Sequence, residues 1–116
     1  MSKSYLERIT DALILEARLP LPITEYRFCE ERGWKSDYVW LNPGWTQAND
    51  AIRGVILEIE GGVFMKKSRH TSGKGFTADC EKYNEATLLG FKVLRVTKYH
   101  LISGHAMEWV KRALKF

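Results

Sequence analysis

The tightest constraint on the fold is a strand–helix–strand succession in the second half of the chain. Residues 55–60, VILEIE, read as a strand closed by Gly61 and Gly62. Helical spacing returns over 76–89, and residues 91–96, FKVLRV, form a short apolar strand. Two strands joined through a helix imply a parallel pair, because the connection must cross a sheet face to start again from the same end. Helices therefore cover the sheet, and the fold class is α/β. Within the crossover helix, Phe76, Cys80, Tyr83 and Thr87 share one face, and Gly90 is suited to cap its C-terminus.

The rest of the chain completes this core. Leu6, Ile9, Leu13 and Ala17 recur at spacings of three and four, which predicts an amphipathic helix over 4–17 that Pro20 and Pro22 end. Residues 25–30 and 34–41 carry strand formers around a turn at 31–33. The segment NPGWTQANDAIRG, 42–54, has turn residues and little periodicity, and reads as a long connection. A last helix is expected over 104–114, burying Ala106, Trp109, Val110 and Ala113. The expected order is α-β-β-β-α-β-α, a mixed central sheet flanked by helices in a single domain spanning 1–116.

Several function classes are disfavoured at once. No apolar run approaches the ~20 residues that a membrane helix needs, and the opening MSKSYLERITD has no apolar secretory core. Cys29 and Cys80 stand in no zinc-knuckle or disulfide-scaffold spacing. A cytoplasmic location without membrane partner or organic cofactor is the expectation. The net charge of +4 permits a polyanionic partner without requiring one. Its placement says more: Lys66, Lys67, Arg69, His70 and Lys74 crowd a glycine-punctuated loop, whereas carboxylates sit on the strands. A basic rim beside an acidic pocket suits phosphodiester chemistry, the rim drawing in the backbone and the pocket holding a cation.

The acidic pocket is legible in VILEIEGG. Glu58 and Glu60 are two apart, so on a strand both point to one face together with Ile56, while Leu57 and Ile59 point to the other. Two carboxylates among apolar neighbours are costly unless neutralised, and a divalent cation does so efficiently. Asp37 on the preceding strand can add an oxygen ligand if the two strands are neighbours, and such hard donors suit magnesium or manganese. The same Glu-X-Glu spacing also fits the solvent face of an edge strand. The Gly-Gly and basic loop that follow favour the first reading, since they let a phosphate approach the backbone.

Together these segments resemble a known family. EYRFCEERGWKSDYVW, LEIEGG and RHTSGKGFTADCEKYNEATLLGFKVLRVT, over roughly residues 20–100, are similar to the PD-(D/E)XK nucleases, and among them to small phage-type proteins close to Holliday junction resolvase-like and VRR-NUC-like enzymes. The resemblance implies a restriction-endonuclease-like core and a magnesium-dependent DNA endonuclease in which manganese substitutes. Asp37 and Glu58 would be metal ligands, with the Ile59 carbonyl as a further donor. Branched duplex DNA would be the substrate and a homodimer the working form, in the host cytoplasm if phage-encoded. Lys66, Lys67, Arg69 and Lys74 would contact DNA.

Glu60 departs from this pattern, because the family places a lysine there. Either Glu60 binds a second metal, or another side chain supplies the missing cation; Lys82 is the first candidate, His70 and Arg69 the next. Glu25 resembles an extra acid found ahead of the motif aspartate in resolvase-like members. A nicking or mismatch-type endonuclease of the same fold and an inactive DNA-binding module remain as alternatives. Asp79 and Lys82 alternatively form an ordinary helical pair. Trp34, Trp40, Trp109 and Tyr83 read as core, Trp45 as the aromatic exposed to DNA or a partner, and His100 and His105 as structural.

Overall fold

The computed structural model describes residues 3–61 and 73–116. Among these, α1 spans Tyr5–Glu16, β1 Ile23–Cys29, β2 Trp34–Leu41, β3 Gly54–Ile59, α2 Gly73–Leu88, β4 Phe91–Val96, α3 Lys98–Ser103 and α4 His105–Leu114. The sheet has four strands in the order β1-β2-β3-β4. β1–β2 and β2–β3 are antiparallel, and β3–β4, joined through α2, is parallel, as the crossover requires. No helix of the described residues is long and apolar enough to cross a membrane.

Alternation along the strands divides the core into two layers. Tyr38, Trp40, Val55, Leu57 and Val96 face α1, α3 and α4, packing with Ile14, Leu101, Ala106, Met107 and Val110. Val39, Ile56, Phe28 and Phe91 face α2 and meet Ala86. β3 is buried on both sides, with Val55 and Leu57 at 0% exposure and Ile56 at 1%, which explains its near-continuous apolar run.

Local signals set the helix ends. Ser4 accepts from the Glu7 N–H while Glu7 accepts from the Ser4 N–H, a capping box that fixes the start of α1. The Tyr38 hydroxyl then donates to Asp11 Oδ1 at 2.8 Å, tying α1 to the middle of the sheet. Helix α3 is an addition to the expected order. Thr97 stands at its N-cap, and His100 Nδ1 accepts from the Thr97 N–H at 3.0 Å. Lys98–Ser103 is too short to display a helical stripe, and only Leu101 is buried in it.

Four expectations are corrected. α2 begins at Gly73 rather than residue 76, since its first turn is built on glycines that carry no periodic signal. Its inward face is not the one expected: Phe76, Cys80 and Thr87 are exposed, while Gly75 and Ala86 are buried, with Ala78, Asp79 and Lys82 half-buried beside them. Asp79 and Lys82 face inward because that part of the helix lies over the charged end of β3, while Ala86 meets the apolar layer. Trp45 is half-buried, with the Arg53 guanidinium 4.6 Å from its ring centre, and belongs to the opposite end of β3.

β3 also starts earlier than expected, at Gly54. A Cβ there would lie 2.6 Å from the Trp40 carbonyl oxygen and 3.3 Å from both Leu41 Cα and Phe91 Cε1. The β2 backbone on one side and the Phe91 ring on the other leave little room to yield. Gly54→Ala is therefore expected to cost roughly 2–3 kcal/mol through overpacking, measurable as a lowered urea midpoint at unchanged slope.

Candidate functional site

The β2–β3 register pairs Tyr38 with Leu57, so the next position sets Asp37 against Glu58 at the C-terminal end of β3. Both side chains lie on the α2 face, sharing the parity of Val39 and Ile56. They lock to each other through the backbone. The Asp37 N–H donates to Glu58 Oε2 at 3.2 Å, and the Ile59 N–H donates to Asp37 Oδ2 at 2.8 Å. These bonds stand where the ladder between the two strands stops, and they hold the two carboxylates together.

Glu58 is 3% exposed. Its carboxyl is pushed up to about 8, by burial first, then by the neighbouring Asp37 charge, with Lys82 pulling the other way. Lys82 reaches across from α2 and places its Nζ 2.9 Å from Glu58 Oε1. That contact is an ion pair without hydrogen-bond geometry, and the buried Oε1 has no hydrogen-bond partner among the described residues. The pair lines a cavity of about 290 Å³ together with Trp34, Asp37, Ile59, Glu60, Asp79 and Tyr83.

Glu60, 8% exposed, turns the same way as Glu58 but is engaged elsewhere. Its Oε1 accepts from Arg95 Nε at 2.6 Å and from the Tyr83 hydroxyl at 3.4 Å. Arg95 lies on β4 in register with Glu58, and its guanidinium sits 4.3 Å from the centre of the Tyr83 ring. Burial and the charges of Glu58 and Glu60 hold the Tyr83 phenol protonated, far above its ordinary range. Among the described residues, no three acidic, histidine or cysteine side chains converge as a metal cluster.

Of the residues singled out from the sequence, the structure thus brings Asp37, Glu58, Ile59, Glu60 and Lys82 to one cavity. Glu25 is exposed on β1 with a left-handed φ of 50° and does not line it. Lys74 is exposed in the first turn of α2. Lys66, Lys67, Arg69 and His70 lie outside the described residues. Trp34 packs half-buried against the layer of Phe28, as expected of a core residue, and also walls the cavity, with the Arg32 guanidinium 4.1 Å from its ring centre. Tyr83, expected in the core, is a half-buried cavity wall.

Arg95 was not anticipated from the sequence. The available signal was a lone arginine in the otherwise apolar run VLRV, one strand away from Glu58. The rings of His100 and His105 lie tilted against Trp109, with centres 5.0 and 5.8 Å from its own, on the opposite face of the sheet. Comparison with protein-family models, curated proteins and solved structures finds no match.

Proposed function

We propose that the chain is a divalent-metal-dependent DNA endonuclease with a PD-(D/E)XK-type centre, in which Lys82 does the work of the motif lysine from a helix. The observation that carries the reading is the arrival of Lys82 Nζ at 2.9 Å from Glu58 Oε1, beside an Asp37 locked to the same carboxylate. A restriction-endonuclease-like core is proposed on the strand directions, two antiparallel pairs and then a parallel one spanned by α2.

The residues fit a hard cation. Asp37, Glu58 and the Ile59 carbonyl are oxygen donors at one cavity, and Glu58 Oε1 is a buried atom without a hydrogen bond among the described residues. Magnesium is commonly held through one or two carboxylates with waters completing its shell, so a third acidic side chain is not needed. Bound there, such a cation lowers the pKa of water and neutralises charge at the phosphate.

The chain's own residues do the rest. Asp37 and Glu58 fix the position of the charge through the bonds that their carboxylates accept from the Ile59 and Asp37 N–H groups. Lys82 orients the attacking water and offsets developing charge. Trp34 and Tyr83 wall the cavity, strengthening each electrostatic contact inside it. Lys74, with Lys66, Lys67 and Arg69 of the neighbouring segment, draws in the DNA backbone.

The test is cleavage of four-way junctions, flapped, nicked and linear duplexes with magnesium or manganese, against a chelator control. Metal-dependent cutting that favours the junction supports the resolvase-like reading and calls for a dimer in solution, since two symmetric cuts need two centres. Preference for nicked or mismatched duplex by a monomer favours the nicking alternative. Lys82→Met is expected to slow cutting by ~10²–10³, the effect of removing one preorganised charge-stabilising donor. A second reading, a DNA-binding module without chemistry, is favoured by the commitment of Glu60 to Arg95 where the family has lysine. Folded protein that binds DNA yet cuts no substrate with either metal would establish it.

A further inference from the structure

The pair formed by Glu60 and Arg95 is unusual in how its charge is distributed. The Glu60 side chain is 9% exposed, whereas that of Arg95 is 43% exposed. The anion is buried and the cation faces outward. Arg95 is gripped on two sides, by Glu60 Oε1 against its Nε at 2.6 Å and by the Tyr83 ring at 4.3 Å. The Tyr83 hydroxyl donates to the same Oε1, so ring and carboxylate form one support. Only Nε is used in this grip, and the terminal Nη groups donate to no hydrogen bond among the described residues. A planar fork held at its base and left open at its tip matches a phosphate, which takes two parallel N–H bonds from one guanidinium.

We propose that Arg95 contacts a phosphate of the DNA backbone at this centre, and that Glu60 is the positioning residue that aims it rather than a metal ligand. The inference rests on the nuclease reading. Its geometry follows from the sheet: parallel pairing sets Arg95 beside Glu58 on the neighbouring strand, while Glu60 lies two residues further along β3 on the same face. Glu60 and Tyr83 line the cavity and Arg95 rests on both of them, just outside that lining, so the phosphate site adjoins the cation site. Glu60 neutralises the arginine only in part of its fork, and its burial stops it from swinging away.

The experiment measures cleavage in manganese, DNA binding in calcium at several salt concentrations, and manganese affinity by calorimetry, for wild type, Arg95→Ala, Arg95→Lys, Glu60→Gln and the Arg95→Ala/Glu60→Gln pair. Arg95→Ala is expected to cut ~10²–10³ more slowly, as for loss of one donor to the reacting group. It should also lower the slope of log affinity against log salt by about 0.9, one phosphate contact fewer. Arg95→Lys keeps the charge but loses the fork; it should retain the salt slope, recover only part of the rate, and stand in if the alanine variant fails to fold. Glu60→Gln should slow cutting by about tenfold, add nothing in the Arg95→Ala background, and leave manganese affinity within about twofold of wild type.

The proposal is overturned if folded Arg95→Ala cuts within about threefold of wild type at an unchanged salt slope. A tenfold or greater loss of manganese affinity in Glu60→Gln would also overturn it, by making Glu60 a ligand. Wild type that cuts nothing would remove the nuclease reading itself, a result separate from either of these.

Discussion

Asp37→Asn and Glu58→Gln are each expected to lower cleavage by at least ~10³, while DNA affinity stays within a few-fold of wild type. The loss is electrostatic in origin. A cation at a reacting phosphate supplies several kcal/mol of transition-state stabilisation, and about 1.4 kcal/mol corresponds to tenfold in rate. Each substitution removes one of the two acidic ligands proposed for it and keeps the side chain's volume. The backbone N–H groups of Asp37 and Ile59, which now donate to carboxylate oxygens, retain acceptors in the amide oxygens. The fold should therefore persist, and circular dichroism should be unchanged. The exposed Lys74 lies apart from the cavity lining, so attraction to the DNA backbone survives. Single-turnover rates with saturating metal check the loss, and binding in calcium checks its specificity. Either variant cutting at the wild-type rate would contradict the assignment.

The second large effect is on stability, and it follows from the burial of Glu58. Its carboxyl is pushed up to about 8 in the folded chain from 4.5, so the folded state holds a proton that the unfolded state has released between these values. Stability then falls as pH rises through that window, because the unfolded state binds fewer protons there. Below about 4.5 both states are protonated and the penalty vanishes; above about 8 it is fully present. At roughly 1.4 kcal/mol per unit, it amounts to several kcal/mol. For metal-free wild type, raising the pH from 5 to 8 should lower the unfolding midpoint by on the order of 10 °C relative to Glu58→Gln, in which this titration is absent. Manganese should restore the wild type at pH 8 by about 2.7 kcal/mol at a hundredfold excess over its dissociation constant, and leave Glu58→Gln unchanged. Parallel pH profiles for the two proteins would refute the linkage. Such a carboxylate costs stability in the bare fold, which is expected where a site is built for a cation rather than for packing.

The sequence made the sheet legible because the strands carry their own evidence. VILEIE and FKVLRV are short apolar runs on either side of a helix, and the parallel pairing of β3 with β4 follows from that order alone. The shared face of Ile56, Glu58 and Glu60 followed from a period of two. Lys82 was reachable by asking where a displaced cation could come from. Other features rested on information that no local pattern holds. The inward face of α2 was misread because a stripe of Phe76, Cys80 and Thr87 looks apolar, yet the helix meets the sheet where Glu58 and Glu60 stand, and Lys82 and Asp79 turn toward them instead. Glu60 and Arg95 are thirty-five residues apart, and their meeting depends on the crossover through α2. Trp45 looked exposed in a loop of turn residues, and only Arg53 folding onto it shows otherwise. Glu25 takes φ of 50° within β1, a conformation that a glutamate adopts at some cost and that its sequence neighbours do not announce.

The most direct measurement is the anomalous difference map of a crystal of the folded protein soaked in manganese. The account predicts a peak between the Asp37 and Glu58 carboxylates, within bonding distance of both and of the Ile59 carbonyl, with Glu60 still on Arg95. A fully soaked crystal with no peak between residues 37 and 58 would contradict the enzyme and leave only the fold.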